Sequence, residues 1–418
     1  MSQAKQNANG YMSASEVAQE LGIRLSTLYS YVSRGLLHSE FADSSKRTRR
    51  YPREDVQRLK ERQEMRHDPQ KVVDTALHWG MPMLTSALTL IEGGHFYYRG
   101  QDALHLAVHS TVERVAALLW TGTETKADTL FSQALPALPS PVEAMLPLLR
   151  EVTPLERCQA LLPLVGTEDL AAYDFRPHAV ALTGGQILRR MTLLATNQRD
   201  FQEGEGLAAL LQRAWVPDRP QAIGLFNAAL ILCADHELNV SSFTARCVAS
   251  AGSSPYAVAS AGLAALQGVK HGGMSARVEA LFREIGRPEQ VHTTLAQRIR
   301  RGEDVPGFGH RLYPDGDPRG KLLLELVGAT FPQSSGMRLA RTLAETAQSA
   351  LQEQPNIDFA LATLCSVLEL PPGTAVTLFA LGRTIGWIGH AIEEYQADHL
   401  IRPRAHYSGI VPDRAASS

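Results

Sequence analysis

From residue 71 onward the chain is carried by Ala- and Leu-rich stretches in which apolar residues return every three to four positions, as at 111–120, 141–150, 223–235 and 374–392. That period lines apolar side chains along one stripe of a helix, and the stripe must be buried against others like it. The body is therefore expected to be nearly all helical. Residues 84–99 break the pattern: they alternate about Glu92-Gly93-Gly94-His95, which predicts a small hairpin. Residues 134–141, with their spaced prolines, read as the one internal linker.

A chain of 418 residues with 44% hydrophobic and 20% charged residues can bury sizeable cores in two or three domains, which excludes disorder as its main theme. Its four cysteines, Cys158, Cys233, Cys247 and Cys365, form no CxxC pair, so neither a disulfide scaffold nor a zinc ribbon is supported. The start, MSQAKQNANG, is polar, and no uninterrupted apolar run approaches about 18 residues. No signal peptide, no membrane span and a reducing cytoplasm are the expectations.

Charge is uneven: residues 1–70 hold 12 Lys and Arg against 9 Asp and Glu, while the overall formal charge is -2. After a flexible stretch at 1–12, Ser13-Ala-Ser-Glu16 is a capping box that starts a helix, and Gly22 stops it. A second helix at about 25–34 places Leu25, Leu28 and Val32 on one face, with Arg24, Ser26, Thr27, Ser30 and Arg34 elsewhere, before Gly35. Lys46-Arg47-Thr48-Arg49-Arg50-Tyr51-Pro52-Arg53 carries five basic residues and no acid, and a third amphipathic helix follows through Val56 and Leu59. This order, and the phrase SASEVAQELGIRLSTLYSYVSRGLL, resemble the winged helix-turn-helix of the MerR and excisionase type over 13–66. The resemblance implies a second helix in the major groove through Arg24, Ser26, Thr27 and Ser30, and a wing, Arg47, Arg49 and Arg50, on phosphates. A docking or dimerisation module that no longer touches DNA is the alternative.

Common cofactor signatures are missing from the body. Gly307-Phe308-Gly309 lacks the third glycine of a dinucleotide fingerprint, and neither GxxxxGK[ST] nor G-x-S-x-G occurs. Histidines instead sit beside glycines and acids, in Asp235-His236-Glu237, His271-Gly272-Gly273 and Gly309-His310-Arg311. Asp317-Pro318-Arg319, Asn356-Ile357-Asp358, Arg383 inside an apolar helix and Arg402-Pro403-Arg404 follow. Arginines grip carboxylates, a carboxylate can take a carbon-bound proton, and neutral histidines can donate to a developing enolate. That combination suits a small polyanionic acid and proton abstraction beside a carbonyl. His390, Glu393, Glu394 and His399 have a spacing open to metal ligation, but no metal is expected.

The phrases ILCADHELNVSSFTARCVAS, GVKHGGMSARVEAL, VPGFGHRLYPDGDPR, NIDFALATL, LFALGRTIGWIGHAIEEY and IRPRAHYSG resemble, in order and approximate spacing, the citrate synthase family over roughly 72–412. The resemblance implies a homodimer of all-α subunits, with a large domain at 71–270 and 371–418 and a small domain at 271–370. These would close around oxaloacetate and acetyl-CoA as substrates, with no permanently bound cofactor. It gives His271 to the thioester carbonyl, Asp358 to the methyl proton, His310 to the ketone, and His236, Arg319, Arg383 and Arg402 to oxaloacetate. Arg402 would serve the partner's site, and the backbone of Val305, Pro306, Gly307, Phe308 and Gly309 would lie along coenzyme A. The chain departs from the family at Val269-Lys270, at Met274-Ser275 and in the Phe-Ala-Leu-Ala run after Asp358. Two alternatives stay open: a 2-methylcitrate synthase using propionyl-CoA, and a DNA-binding regulator whose body senses oxaloacetate, citrate or acyl-CoA.

Overall fold

The computed structural model describes residues 11–23, 25–33, 37–41, 49–52, 55–56, 84–405 and 407–409. Arg24, Arg34, Gly35, Arg47 and the third head helix beyond Val56, including Leu59, lie outside them. The chain divides into one unit of residues 1–85 and 402–418 and another of 86–401.

In the first unit, β1 (Tyr11–Ser13) leads into α1 (Ala14–Glu20), followed by α2 (Leu25–Ser33), β2 (Glu40–Phe41) and β3 (Arg49–Pro52). Ser13 Oγ accepts from Glu16 N while Glu16 accepts from Ser13 N, so the capping box forms as predicted. Gly22 takes φ +61° just after α1, a conformation that ends a helix at little cost to glycine. β3 pairs antiparallel with both β1 and β2. Met12, Val17, Leu21, Leu28, Leu37, Tyr51 and Val56 form this unit's own core. Leu25, expected on the apolar face, is 46% exposed and so corrects the reading of α2. Arg49 donates to Ser39 Oγ, and Arg50 pairs with Glu40 while lying 4.3 Å over the Tyr11 ring.

The second unit opens with β4 (Thr89–Glu92), β5 (His95–Tyr98) and β6 (Gln101–Asp102), an antiparallel sheet turning at Gly93-Gly94 as the alternation predicts. Helices then follow almost without interruption: α3 (Ala103–His109), α4 (Val112–Thr121), α5 (Ala127–Phe131), α6 (Ser140–Met145), α7 (Pro154–Val165), α8 (Pro177–Thr196) and α9 (Leu207–Trp215). Next come α10 (Ala222–Leu232), α11 (Val240–Ser250), α12 (Pro255–Leu266), α13 (Gly273–Ile285) and α14 (Val291–Arg300). The last are α15 (Pro318–Thr330), α16 (Ser335–Leu351), α17 (Ile357–Leu368) and α18 (Thr374–Ala397). The helix expected at 141–150 is α6 plus a separate 3-10 turn at Leu146–Leu149, because Pro147 lacks the amide that would continue the ladder.

α18 is the axis of the unit. It packs against α4, α7, α8, α10, α11, α12, α13 and α17, and its most apolar 18 residues are all buried inside the fold. Length and composition alone would let it cross a bilayer; here it is core. Gly382 and Gly386 lie one turn apart where a Cβ would strike Leu230 O and the Asp235 carboxylate, so only glycine admits the C-terminal end of α10 this closely. A second hydrophobic cluster joins Val278 and Phe282 of α13, Val291 and Leu295 of α14, Leu339 and Leu343 of α16, Phe308 and Phe359.

Candidate active site

Three buried or half-buried histidines converge from three segments. α10 runs out into Asp235-His236, and Asn239 then caps α11 by accepting from Ser241 N and Ser242 N. His236 Nε2 lies 2.9 Å from Tyr313 Oη, and its ring meets His310 edge-on at 5.3 Å. His310 Nδ1 accepts from Leu312 N at 3.2 Å, so its neutral ring carries the proton on Nε2. His271 Nε2 lies 2.8 Å from Ser241 Oγ, which also receives Trp387 Nε1. Burial is the main cause that holds all three histidines neutral. It takes His271 and His310 down to about 4, with Arg383 adding to it at His271 and Arg319 at His310. His236 falls well below its ordinary value through burial, then Arg319 and Arg383.

The anion-binding groups come from helix starts and from α18. Asp317 caps α15 and holds Arg319 through Nε and Nη2 at 2.9 and 2.8 Å, leaving the guanidinium's other edge for a ligand. The same carboxylate accepts from Ile357 N at 3.0 Å, tying the start of α17 to that of α15. Burial opposes ionisation of Asp317, but Arg319 outweighs it and the carboxyl stays below its usual range. Arg383 is 1% exposed; its Nε donates to Cys233 O at 2.8 Å, and its buried Nη2 has no hydrogen-bond partner among the described residues. A buried guanidinium with a spare donor is a receptor for an anion. Asp358, second residue of α17 after the Asn356 cap, is pushed up to about 6 by burial, against the pull of Ser275 and Arg319.

These groups feel one another's charge, His236 that of Arg319, Arg383, His310 and His271, and Asp358 that of Arg319 and Arg383, so they lie near one another. In the 305–309 loop, Gly307 O accepts from Asn356 N, Gly309 N donates to Gln354 O, and Gly309 O accepts from Asn356 Nδ2. The backbone of Gly307 and Gly309 is therefore pinned to the segment that opens α17. Arg402 is exposed and belongs to the other unit. Sequence reasoning missed Ser241, Tyr313 and Asp317 as partners of the histidines and arginines; the only available signal was their closeness in sequence to His236, His310 and Arg319. His390 bonds Asp235, while Glu393 and Glu394 both hold Arg246. These residues make a buried charge network.

Residues 76–404 match the model of the family described as citrate synthase, C-terminal domain. The chain belongs to the citrate synthase family. Residues 11–64 match a helix-turn-helix domain. A citrate synthase of Mycolicibacterium smegmatis is 30% identical over 355 residues, 79% of this chain and 94% of its own. A 2-methylcitrate synthase of Mycobacterium tuberculosis is 30% identical over 362 residues, 81% of this chain and 88% of its own. Among solved structures, the citrate synthase of Thermoplasma acidophilum in ternary complex with carboxymethyl coenzyme A and oxaloacetate aligns with TM-score 0.69. It is 26% identical and covers 81% of this chain and 97% of its own.

Proposed function

We propose that this family member is an acyltransferase that condenses an acyl-CoA with oxaloacetate. Asp358 removes a proton from the methyl group of acetyl-CoA. His271 donates from Nδ1 to the thioester oxygen once the Ser241 hydroxyl turns from Asn239 Oδ1 to donate to His271 Nε2. The enolate carbon attacks the ketone of oxaloacetate, polarised by the Nε2 proton of His310, and the new alkoxide takes a proton. Water then cleaves the thioester, releasing citrate and coenzyme A. Arg319, Arg383 and His236 bind the carboxylates, with Arg402 reaching in from the second protomer of a homodimer. Val305, Pro306, Gly307, Phe308 and Gly309 flank coenzyme A, where the pinned loop offers a rigid edge. A small domain at 271–370 closes on a large domain at 71–270 and 371–418 and expels water until condensation is complete.

The observation that carries this reading is a half-buried carboxylate beside two buried arginines, one with a spare donor, and three histidines held neutral. A pure sensor of dicarboxylates would use the arginines and histidines but would gain nothing from that base. Thiol release from acetyl-CoA and propionyl-CoA, with and without oxaloacetate, tests it. Oxaloacetate-dependent release is expected, and the ratio of the two rates names the donor, since one methylene is worth about 1–3 kcal/mol. No oxaloacetate-dependent release from either thioester would refute the synthase.

The helix-turn-helix match and the separate core of residues 11–56 favour an added role for the head, which we propose contacts DNA through Arg24, Ser26, Thr27, Ser30, Arg47, Arg49 and Arg50. A regulator that reads metabolites through its body is the resulting second reading. A gel shift against the upstream DNA, with binding that weakens steeply as salt rises, is expected; no retardation at low ionic strength would leave the head as a docking module. The four free thiols suit a reducing cytoplasm.

A further inference from the structure

Nothing in the reaction just drawn assigns a task to Ser275. The side chain is completely buried in the first turn of α13, four residues after His271. Gly272 and Gly273, between them, press against Leu266, Gln267 and Gly268 so closely that a Cβ on either would strike backbone oxygen. The start of α13 is therefore fixed. From it Ser275 Oγ reaches Asp358 Oδ1 at 2.5 Å. An ionised carboxylate has no proton to give, so the serine is the donor.

Asp358's other fixings act on its backbone: Asn356 Oδ1 accepts from Asp358 N at 3.0 Å, which caps α17 but leaves the carboxylate free to turn about its own bond. Resting on the reading of Asp358 as the base, we infer that Ser275 is a positioning residue: its hydroxyl locks Oδ1 and leaves Oδ2 to take the proton from the acyl donor. The same helix start then carries both His271 and the group that aims the base, so the two reacting ends of enolisation move as one piece. Among the described residues, the hydroxyl of Ser275 is the side chain that holds the carboxylate of the base.

The charged and titratable groups facing Asp358 are Arg319 and Asp317 from the start of α15, Arg383 from α18 and the Cys233 thiol after α10. None of them replaces the lost donor when Ser275 is truncated. Two variants of the full chain, Ser275→Ala and Ser275→Thr, test the inference. A hydrogen bond to a charged group corresponds to about one to two pH units. In Ser275→Ala the acid limb of kcat/KM moves up by about that much, kcat at neutral pH falls about 10- to 100-fold, and the KM for oxaloacetate holds. Ser275→Thr keeps the hydroxyl and restores the limb. The carboxyl 13C resonance of Asp358, assigned with Asp358→Asn, gives the same titration without turnover, so it separates this inference from the synthase reading itself. An unmoved Asp358 midpoint in Ser275→Ala, or an acid limb that moves equally in Ser275→Thr, overturns it.

Discussion

At the scale of the residue, the site is a set of groups whose charge states burial has reset. Asp358 titrates at about 6 rather than 3.8, chiefly because water is excluded from it. As a base it must be ionised, so kcat/KM is expected to rise with pH through about 6 and then level off. A pH–rate profile from 4.5 to 8 checks this; a flat profile across pH 6 contradicts it. His271 and His310, at about 4, are largely neutral above pH 5 and add no limb near pH 6. The same shift has a cost in stability. Between the unfolded and folded values the native chain binds more protons than the unfolded one, so stability falls as pH rises from about 4 to 6, and the loss is complete at pH 7. Asp358→Asn removes this half-buried charge and is expected to stabilise the fold at pH 7 by up to about 3 kcal/mol. Urea midpoints of the two proteins at pH 4 and pH 7 check the sign, and a difference that does not grow with pH would contradict it.

At the scale of the element, much was legible and its gaps have physical causes. The capping box at Ser13, the hairpin turning at Gly93-Gly94 and the long α18 all follow from local pattern, and all form. Leu25 did not follow, because a second apolar stripe position on so short a helix finds no partner in so small a core. Pro147 split one expected helix in two. The site itself was legible only through its motifs in series: His236, His271, His310, Asp358 and Arg383 span about 150 residues, and no periodicity joins them. Ser241 and Ser275 were illegible as partners because each depends on where two helix starts meet, and Tyr313 because it depends on where a turn meets the segment after α10. The network on α18 is a further case. Arg246 is 3% exposed and bonds Glu394 Oε2 at 2.8 Å through Nε, while Glu394 is itself buried. Arg246→Ala strands that carboxylate and is expected to destabilise the body by about 3–5 kcal/mol, read as a lowered urea midpoint. A change below about 1 kcal/mol would show that the pair contributes little.

At the scale of the whole molecule, a head with its own core precedes a body that holds the candidate site within residues 236–383. Removing residues 1–70 is expected to leave condensation within about twofold while abolishing any DNA retardation; lost turnover would tie the head to assembly of the body. The proposed role of Arg402 across a dimer has a sharper test. Co-expressed Arg402→Ala and Asp358→Asn protomers, each inactive alone, are expected to regain activity in the mixed dimer, because one of its two sites is then intact. If Arg402 serves its own subunit, the mixture stays inactive. The central claim, that Asp358 is a base and not a relic in a binding pocket, is tested most directly by pairing thiol release with oxaloacetate calorimetry in wild type and Asp358→Asn. The expected result is oxaloacetate-dependent turnover in the wild type, a loss of about 100-fold or more in the variant, and oxaloacetate affinity within about threefold between the two. Turnover at the wild-type rate in Asp358→Asn, or equal silence in both proteins with oxaloacetate still bound, would contradict it.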